Sequence, residues 1–249
     1  MSEFYRMCLI VCPLVFTAGF VDAIAGGGGL ISLPAYYLAG LPAHIAAGTS
    51  KMAMSIGTLT AAGGYIKARK LDMKVSLIAA AGSFLGSCAG SSLAIIISDS
   101  MLKAIMLTVL PIVAVFIVVR KDFGSEKAQP NQKALKHTGV TAFMIGLAIG
   151  CYDGLIGPGT GTFLILAFTA VLGFDLLKSS GCAKVVNLAS NIASVIIFVL
   201  NGKVLFARAA PATVCAMAGN FAGMKLAIRG GSKYVRYTIF VVIGLLFVK

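Results

Sequence analysis

Long apolar runs, broken by glycine turns or short basic loops, set the pattern of this chain. Residues 8–25 are apolar and lead into four consecutive glycines, Gly26 to Gly29. A shorter apolar run, Leu30 to Leu38, follows. Four glycines in a row break a helix, and the second run is too short to span a bilayer alone, so the pattern predicts a helical hairpin. Pro42 to Tyr65, Val75 to Ile97 and Leu102 to Val119 are long apolar segments. They approach or exceed the ~20 residues a helix needs to cross the hydrocarbon core. Their apolar positions are continuous and do not alternate every second residue, which argues against a membrane β-barrel.

Residues 121–136 form a hydrophilic linker, and beyond it the pattern begins again. Gly19, Asp22, Gly26 and Gly28 align without gaps to Gly150, Asp153, Gly157 and Gly159. Residues 137–174 read as a second hairpin. Gly48-Thr-Ser-Lys51 is matched by Gly181-Cys-Ala-Lys184, Lys70 by Lys203, Gly82 and Gly86 by Gly219 and Gly223, and Lys103 by Arg236. Repetition through four consecutive elements in one order implies duplication. The predicted organisation is a first repeat at 1–120, a cytoplasmic linker at 121–136 and a second repeat at 137–249. Gly82, Gly86 and Gly90 recur every fourth residue, the small-residue stripe that lets helices pack closely in lipid.

Composition agrees with the pattern. Only 12% of residues are charged and 59% are hydrophobic, against about 25% charged in an ordinary soluble domain. The net charge of +13 does not indicate nucleic acid, because most basic residues lie in short loops at segment ends, where the positive-inside bias puts them. Placing the clusters at Lys67–Lys74, Arg120–Lys136 and Lys225–Arg236 in the cytoplasm makes the second repeat run opposite to the first. The expected fold is therefore all-α and polytopic: two inverted-topology repeats, each a glycine-rich hairpin plus about three spanning helices. Both termini fall outside the cytoplasm. Secondary transporters built this way bind substrate near the midplane, at the interface of the repeats. The first run carries Asp22 and leads into the repeated motif, so it reads as part of the mature protein and not as a signal peptide.

The candidate chemistry is sparse. Of eight acidic residues, only Asp22 and Asp153 lie deep in apolar sequence, where an ionisable group is costly. Each is either a proton-coupling carboxylate or a structural cap at its glycine turn. The turns at Gly26–Gly29 and Gly157–Gly161 open short helices, and free amides at a helix N-terminus attract anions. Gly26, Gly28, Gly157 and Gly159 are thus anion-binding candidates. Lys51 and Lys184 sit well inside their segments, each placed to pair with an anion or with Asp22 or Asp153; the bland alternative is snorkelling to the headgroups. Asn187, and more weakly Asn191, Thr49 and Ser50, add polar capacity. No nucleotide-binding loop is present, because neither turn ends in Gly-Lys-Ser/Thr. The six cysteines form no Cys-x-x-Cys pair, His44 and His137 make no metal set, and no catalytic triad is evident. Neither metal, cofactor nor enzymatic activity is expected.

The motifs Gly19-x-x-Asp22-Ala-x-x-Gly26-x-Gly28-Gly29 and Gly48-Thr-Ser-Lys51, with their echoes at Asp153-Gly-x-x-Gly157-Pro-Gly-Thr-Gly161 and Lys184, resemble the TauE/SafE sulfite exporter family over essentially the whole chain. The resemblance implies a transporter of sulfite, thiosulfate, sulfoacetate or a similar small sulfur-containing oxyanion, coupled to protons and working by alternating access in a bacterial inner membrane. It also directs attention to Cys151 and Cys182 as weak S–H donors. The expected partners are the anion, protons and the lipid bilayer; a homo-oligomer is left open. The readings weighed against transport by alternating access are an anion channel with the same site and a non-transporting membrane interaction protein.

Overall fold

The structure is a computed structural model that describes residues 3–108 and 138–247, with side chains from 7 to 108 and from 138 to 238. The linker and most of the segment predicted at Leu102–Val119 lie outside the described residues. Every regular element among them is helical: α1 (Glu3–Ala25), α2 (Gly29–Leu38), α3 (Ala43–Lys67), α4 (Met73–Ile96), α5 (Thr138–Leu155), α6 (Thr160–Leu172), α7 (Leu176–Leu200) and α8 (Phe206–Phe247). A further helix begins at residue 99.

Four helices among the described residues are long and apolar enough to cross a membrane: Met7–Ala25, Met73–Ile96, Thr138–Leu155 and Leu176–Leu200. The chain is a helical membrane protein. The short apolar helices α2 and α6 complete the two predicted hairpins, α1–α2 and α5–α6. Side-chain caps start two of the long helices. Asp72 accepts from the Val75 N–H at 3.2 Å, and Asp175 accepts from Leu177 and Lys178 at 2.9 and 3.0 Å. Each cap satisfies N–H groups that have no intrahelical partner.

One boundary differs from expectation. The basic stretch Lys225–Arg236 is not a loop; α8 runs through it, interrupted by a single non-helical residue, Gly231 (φ 66°, ψ −163°). Its charges therefore ride on the two helix ends that meet at this kink.

The halves are joined by exchange. On α4, Gly82, Gly86 and Gly90 face the carbonyl oxygens of Phe143, Leu147 and Cys151 of α5, so closely that a Cβ at any of them would collide with the backbone. Gly146, Gly150 and Gly154 of α5 face back onto Ala79, Ser83 and Ser87. The equivalent stripe on α8, Gly219 and Gly223, packs on the carbonyls of Phe16 and Phe20 of α1. Each half thus lends its first helix to the other half's glycine stripe. Lipid offers no hydrophobic drive for helix association, so this backbone proximity, with its dispersion contacts, is what holds the seams.

The repeated Gly-x-x-Lys segments make a second exchange. The Lys203 carbonyl rests on Gly48 and the Lys70 carbonyl on Gly181. Thr49 Oγ1 accepts from the Leu205 N–H at 3.2 Å, and Cys182 Sγ accepts from the Asp72 N–H at 3.3 Å. Thr49 and Cys182 occupy matched positions and do the same work: each clamps the loop of the opposite half.

Candidate functional site

The two hairpin tips touch. Gly26 and Gly157 both take left-handed backbone angles, φ 78° and 89°, which lets each chain reverse between its two helices. Gly26 lies directly against Gly161 of the opposite hairpin. The first tip is tied down by hydroxyls. Tyr65 donates to the Ala23 carbonyl (3.0 Å), Ser180 to Ile24 (2.9 Å) and Thr162 to Ala25 (2.8 Å). These three carbonyls end α1 and have no further turn to accept from.

At the tips the four predicted charges form two ion pairs, and both cross between halves. Lys51 reaches Asp153 at 2.5 Å, and Lys184 reaches Asp22 at 2.8 Å. Separation in sequence hides this pairing; duplication of both members makes it reciprocal. Buried pairs of this kind are tolerated only where the geometry compensates the loss of water.

The pairs have different surroundings. Lys184 is fully sealed, with 0% side-chain exposure, and Asp22 is at 4%. The other donor near Asp22 is the Thr58 hydroxyl, at 3.5 Å. Lys51 keeps 14% exposure and lies along the Gly157 turn, so that a Cβ there would sit 3.6 Å from its Nζ. Asp153 accepts from two hydroxyls as well as from Lys51: Ser190 at 2.5 Å and Thr160 at 2.7 Å. Around Ser190 runs a buried serine cluster, in which Ser87 donates to the Ser190 carbonyl at 2.7 Å and Ser91 to Ser194 at 2.9 Å.

A cavity opens between the tips. The space available to water centres is about 50 Å³. Asp22, Gly26, Lys51, Asp153, Gly157 and Asn187 line it, together with Gly29, Ser50, Met54, Thr58, Thr160 and Asn191. Four of the sequence candidates, Lys184, Gly28, Gly159 and Thr49, are not on its wall. Lys184 is spent on Asp22, and Gly28 packs under Asp22 and Met54. Cys182 is occupied by the Asp72 amide, and neither it nor Cys151 faces the cavity. Among the described residues no cluster of three or more His, Cys, Asp or Glu is placed to hold a metal.

Sequence reading missed the hydroxyls of Ser190, Thr58, Tyr65 and Ser180. The serines of α4 carried a signal: Ser83, Ser87 and Ser91 repeat every fourth residue, one step beyond the glycine stripe, and all three are fully buried. His44, noted only as lying at a segment end, has a definite structural role. Its ring reaches Asp99 at 2.7 Å and the Ala94 carbonyl at 2.9 Å, while Asp99 accepts from the amides of Ala43 and His44 at 2.8 and 3.0 Å. Asp99 therefore caps α3 from across the bundle. Burial works against its charge, but these donors prevail and hold the carboxyl below its ordinary value of 3.8.

Paired hairpins and reciprocal buried ion pairs beside a small cavity within an apolar helical bundle define the class as a helical membrane protein with a buried charged site. Comparison with known proteins gives the family. The model of the sulfite exporter TauE/SafE family matches residues 11–249, and the chain belongs to that family. It is 31% identical over 248 residues to the probable membrane transporter protein YfcA of Escherichia coli K12, covering 96% of this chain and 91% of that one. It is 32% identical over 242 residues to the probable membrane transporter protein ORF9 of Sinorhizobium sp., at 96% and 90% coverage. A probable membrane transporter of Bacillus subtilis, YdhB, shares 28% over 217 residues. No solved structure matches.

Proposed function

We propose that this protein is a secondary transporter of a small sulfur-containing oxyanion, sulfite or thiosulfate before sulfoacetate, coupled to protons. The observation that carries the reading is a lysine, Lys51, held at the wall of a small cavity in an apolar bundle beside a glycine turn. An anion there meets an ammonium and the Asn187 side chain, with the start of α6 alongside. Helix N-termini favour negative charge by position and by dipole. At roughly 10–15 Å³ per water centre, the cavity holds about three to five water-sized groups. Sulfite and thiosulfate fit that scale; sulfoacetate is larger. The proton rides on one carboxylate at the cavity wall. The reciprocal pairs and exchanged helices support two halves of opposite orientation, with both termini outside the cytoplasm and alternating access produced by movement of one half against the other.

The test is thermal stabilisation of the purified, detergent-solubilised protein by sulfite, thiosulfate, sulfate, sulfoacetate, taurine, phosphate and acetate. A ligand that binds only the folded form stabilises by ~2.7 kcal/mol at a hundredfold excess over Kd. The expected result is a selective shift with sulfite or thiosulfate that disappears in Lys51→Met. A shift retained in Lys51→Met removes Lys51 from the site, and no shift with any anion removes the oxyanion reading. Counterflow into proteoliposomes preloaded with the active anion separates a carrier from a channel, which shows none.

A further inference from the structure

The duplicated sequence treats the two lysine–aspartate pairs as equals. We infer that they are not: the Lys51–Asp153 pair is the exchange site, where the anion takes the lysine and a proton takes the lysine's place on Asp153, while Lys184–Asp22 is a fixed strut. This deepens the transport reading above and rests on it.

Three observations carry the division. The first is access. An anion entering the cavity can reach Lys51, whereas Lys184 is fully sealed and off the cavity wall. The second is what each lysine would leave behind. If Lys51 turns to an anion, Asp153 keeps the Ser190 hydroxyl at 2.5 Å and a share of the Thr160 hydroxyl at 2.7 Å, whose proton the Gly157 carbonyl also reaches at 2.7 Å. If Lys184 moved, Asp22 would keep, among the described residues, the longer contact with Thr58 at 3.5 Å. A buried carboxylate stripped of its partners is strongly unfavourable, so Lys51 is free to move and Lys184 is held. The third is where the anchors come from. The tip bearing Asp22 is pinned at three successive carbonyls by Tyr65, Ser180 and Thr162, all from elements outside its hairpin. All three of these pins are specific to one half: the positions matching Tyr65, Ser180 and Thr162 are Phe198, Ala47 and Ile31, which have no hydroxyl. On the tip bearing Asp153 the Pro158 and Gly157 carbonyls accept from Tyr152 and Thr160 of the same hairpin, and Ser91 of α4 reaches Gly154 from outside.

Charge balance then supplies the coupling. The resting pair is neutral. An anion that takes the ammonium adds its own charge to the site: one unit for a monoanion such as bisulfite, two for thiosulfate. A proton drawn from bulk solvent onto the Asp153 oxygen that Lys51 vacates neutralises that carboxylate, which balances the monoanion fully and offsets half the charge of thiosulfate. No covalent bond to the anion forms or breaks, and anion and proton leave together when Lys51 returns. Thr160 and Ser190 are positioning residues here, because they hold Asp153 while its ionic partner is away.

The experiment uses the full chain in detergent with thiosulfate as the probe. Proton uptake on adding thiosulfate is read with a pH indicator in weak buffer, beside thermal melting. The wild type is expected to take up about one proton per anion bound. Asp153→Asn should abolish uptake. The double variant Asp22→Asn/Lys184→Met, which removes the strut's charges together, should keep both the thiosulfate-induced melting shift and the uptake. Lys184→Met alone should melt far lower than the double variant, since it strands Asp22. Loss of thiosulfate binding in a folded double variant, or uptake that survives Asp153→Asn, overturns the division. A second measurement needs no variant: the small imidoester methyl acetimidate, read by mass spectrometry, should modify Lys51 and spare Lys184, with thiosulfate protecting Lys51. Modification of Lys184 at the rate of Lys51 overturns the assignment. Absence of any thiosulfate or sulfite response in the wild type instead refutes the transport reading beneath it.

Discussion

Three glycine-to-alanine changes separate the two jobs glycine does in this fold. Gly63 lies in the interior of α3, and a Cβ there would meet nothing within 4 Å. Alanine should stabilise by ~0.5–1 kcal/mol through lower unfolded-state entropy. Gly40 has φ +80° but also opens onto empty space. Alanine there carries only the left-handed penalty, ~1–2 kcal/mol. Gly26 has φ +78°, and its Cβ would fall 2.5 Å from Gly161 Cα and 2.5 Å from the Thr162 amide nitrogen. Those are backbone atoms of the opposite hairpin and cannot rotate away. Overpacking adds ~1–3 kcal/mol, so the total is ~2–5 kcal/mol. The assay is equilibrium unfolding of the three variants in mixed micelles, read by far-UV circular dichroism. The required order is Gly63→Ala above wild type, Gly40→Ala below it, and Gly26→Ala lowest by at least ~1 kcal/mol. If Gly26→Ala matches Gly40→Ala, the tips do not touch as described, and the cavity between them loses its definition.

Further outcomes follow from the clamps and caps. Thr49→Val and Cys182→Ala each remove the acceptor of a loop amide and should cost ~1 kcal/mol; Cys182→Thr restores an acceptor and should melt at or above wild type. Cys182→Thr should also leave anion stabilisation intact, and its loss would return the cysteine to the site. Asp99→Ala deletes the cap on α3 and should lower stability by ~1 kcal/mol at neutral pH. Because the folded-state pKa of Asp99 is lowered, its contribution is complete above ~3.9, the unfolded value, and fades as pH falls through the folded value. The gap between wild type and Asp99→Ala in a pH series of melting curves should therefore hold down to about pH 4 and close below it; a gap that closes nearer neutrality would assign the effect to another group.

Much of this architecture was legible before any coordinates. Runs and glycine turns placed both hairpins, because helix length and glycine's backbone freedom act locally. Duplication located the candidate lysines and aspartates, and it allowed their pairing across halves. What it concealed was their inequality. Asp153 and Asp22 occupy matched motifs, yet their neighbours come from positions where the repeats have diverged: Ser190 against Gly57, Tyr65 against Phe198, Ser180 against Ala47. None of these positions stands out alone, since serine and tyrosine are ordinary in packed membrane helices. The span of α8 was misread for a related reason. Clustered basic residues usually mark a loop, but here a single left-handed glycine turns the chain and the charges stay on helix.

The exchange of first helices also governs how the chain is made. Phe16 and Phe20 find their seat on Gly219 and Gly223, so α1 leaves the ribosome well before the helix it seats against. Contacts this distant in sequence slow folding. Until α8 arrives, the carbonyl ridge of α1 has no fitted partner, and the amino-terminal half on its own is an incomplete object. α1 and α8 thus meet as the two arms of a clasp. Fragments divided within 121–136 should therefore assemble only when both are synthesised in the same membrane, and truncation before Gly219 should leave the nascent chain to the quality-control proteases.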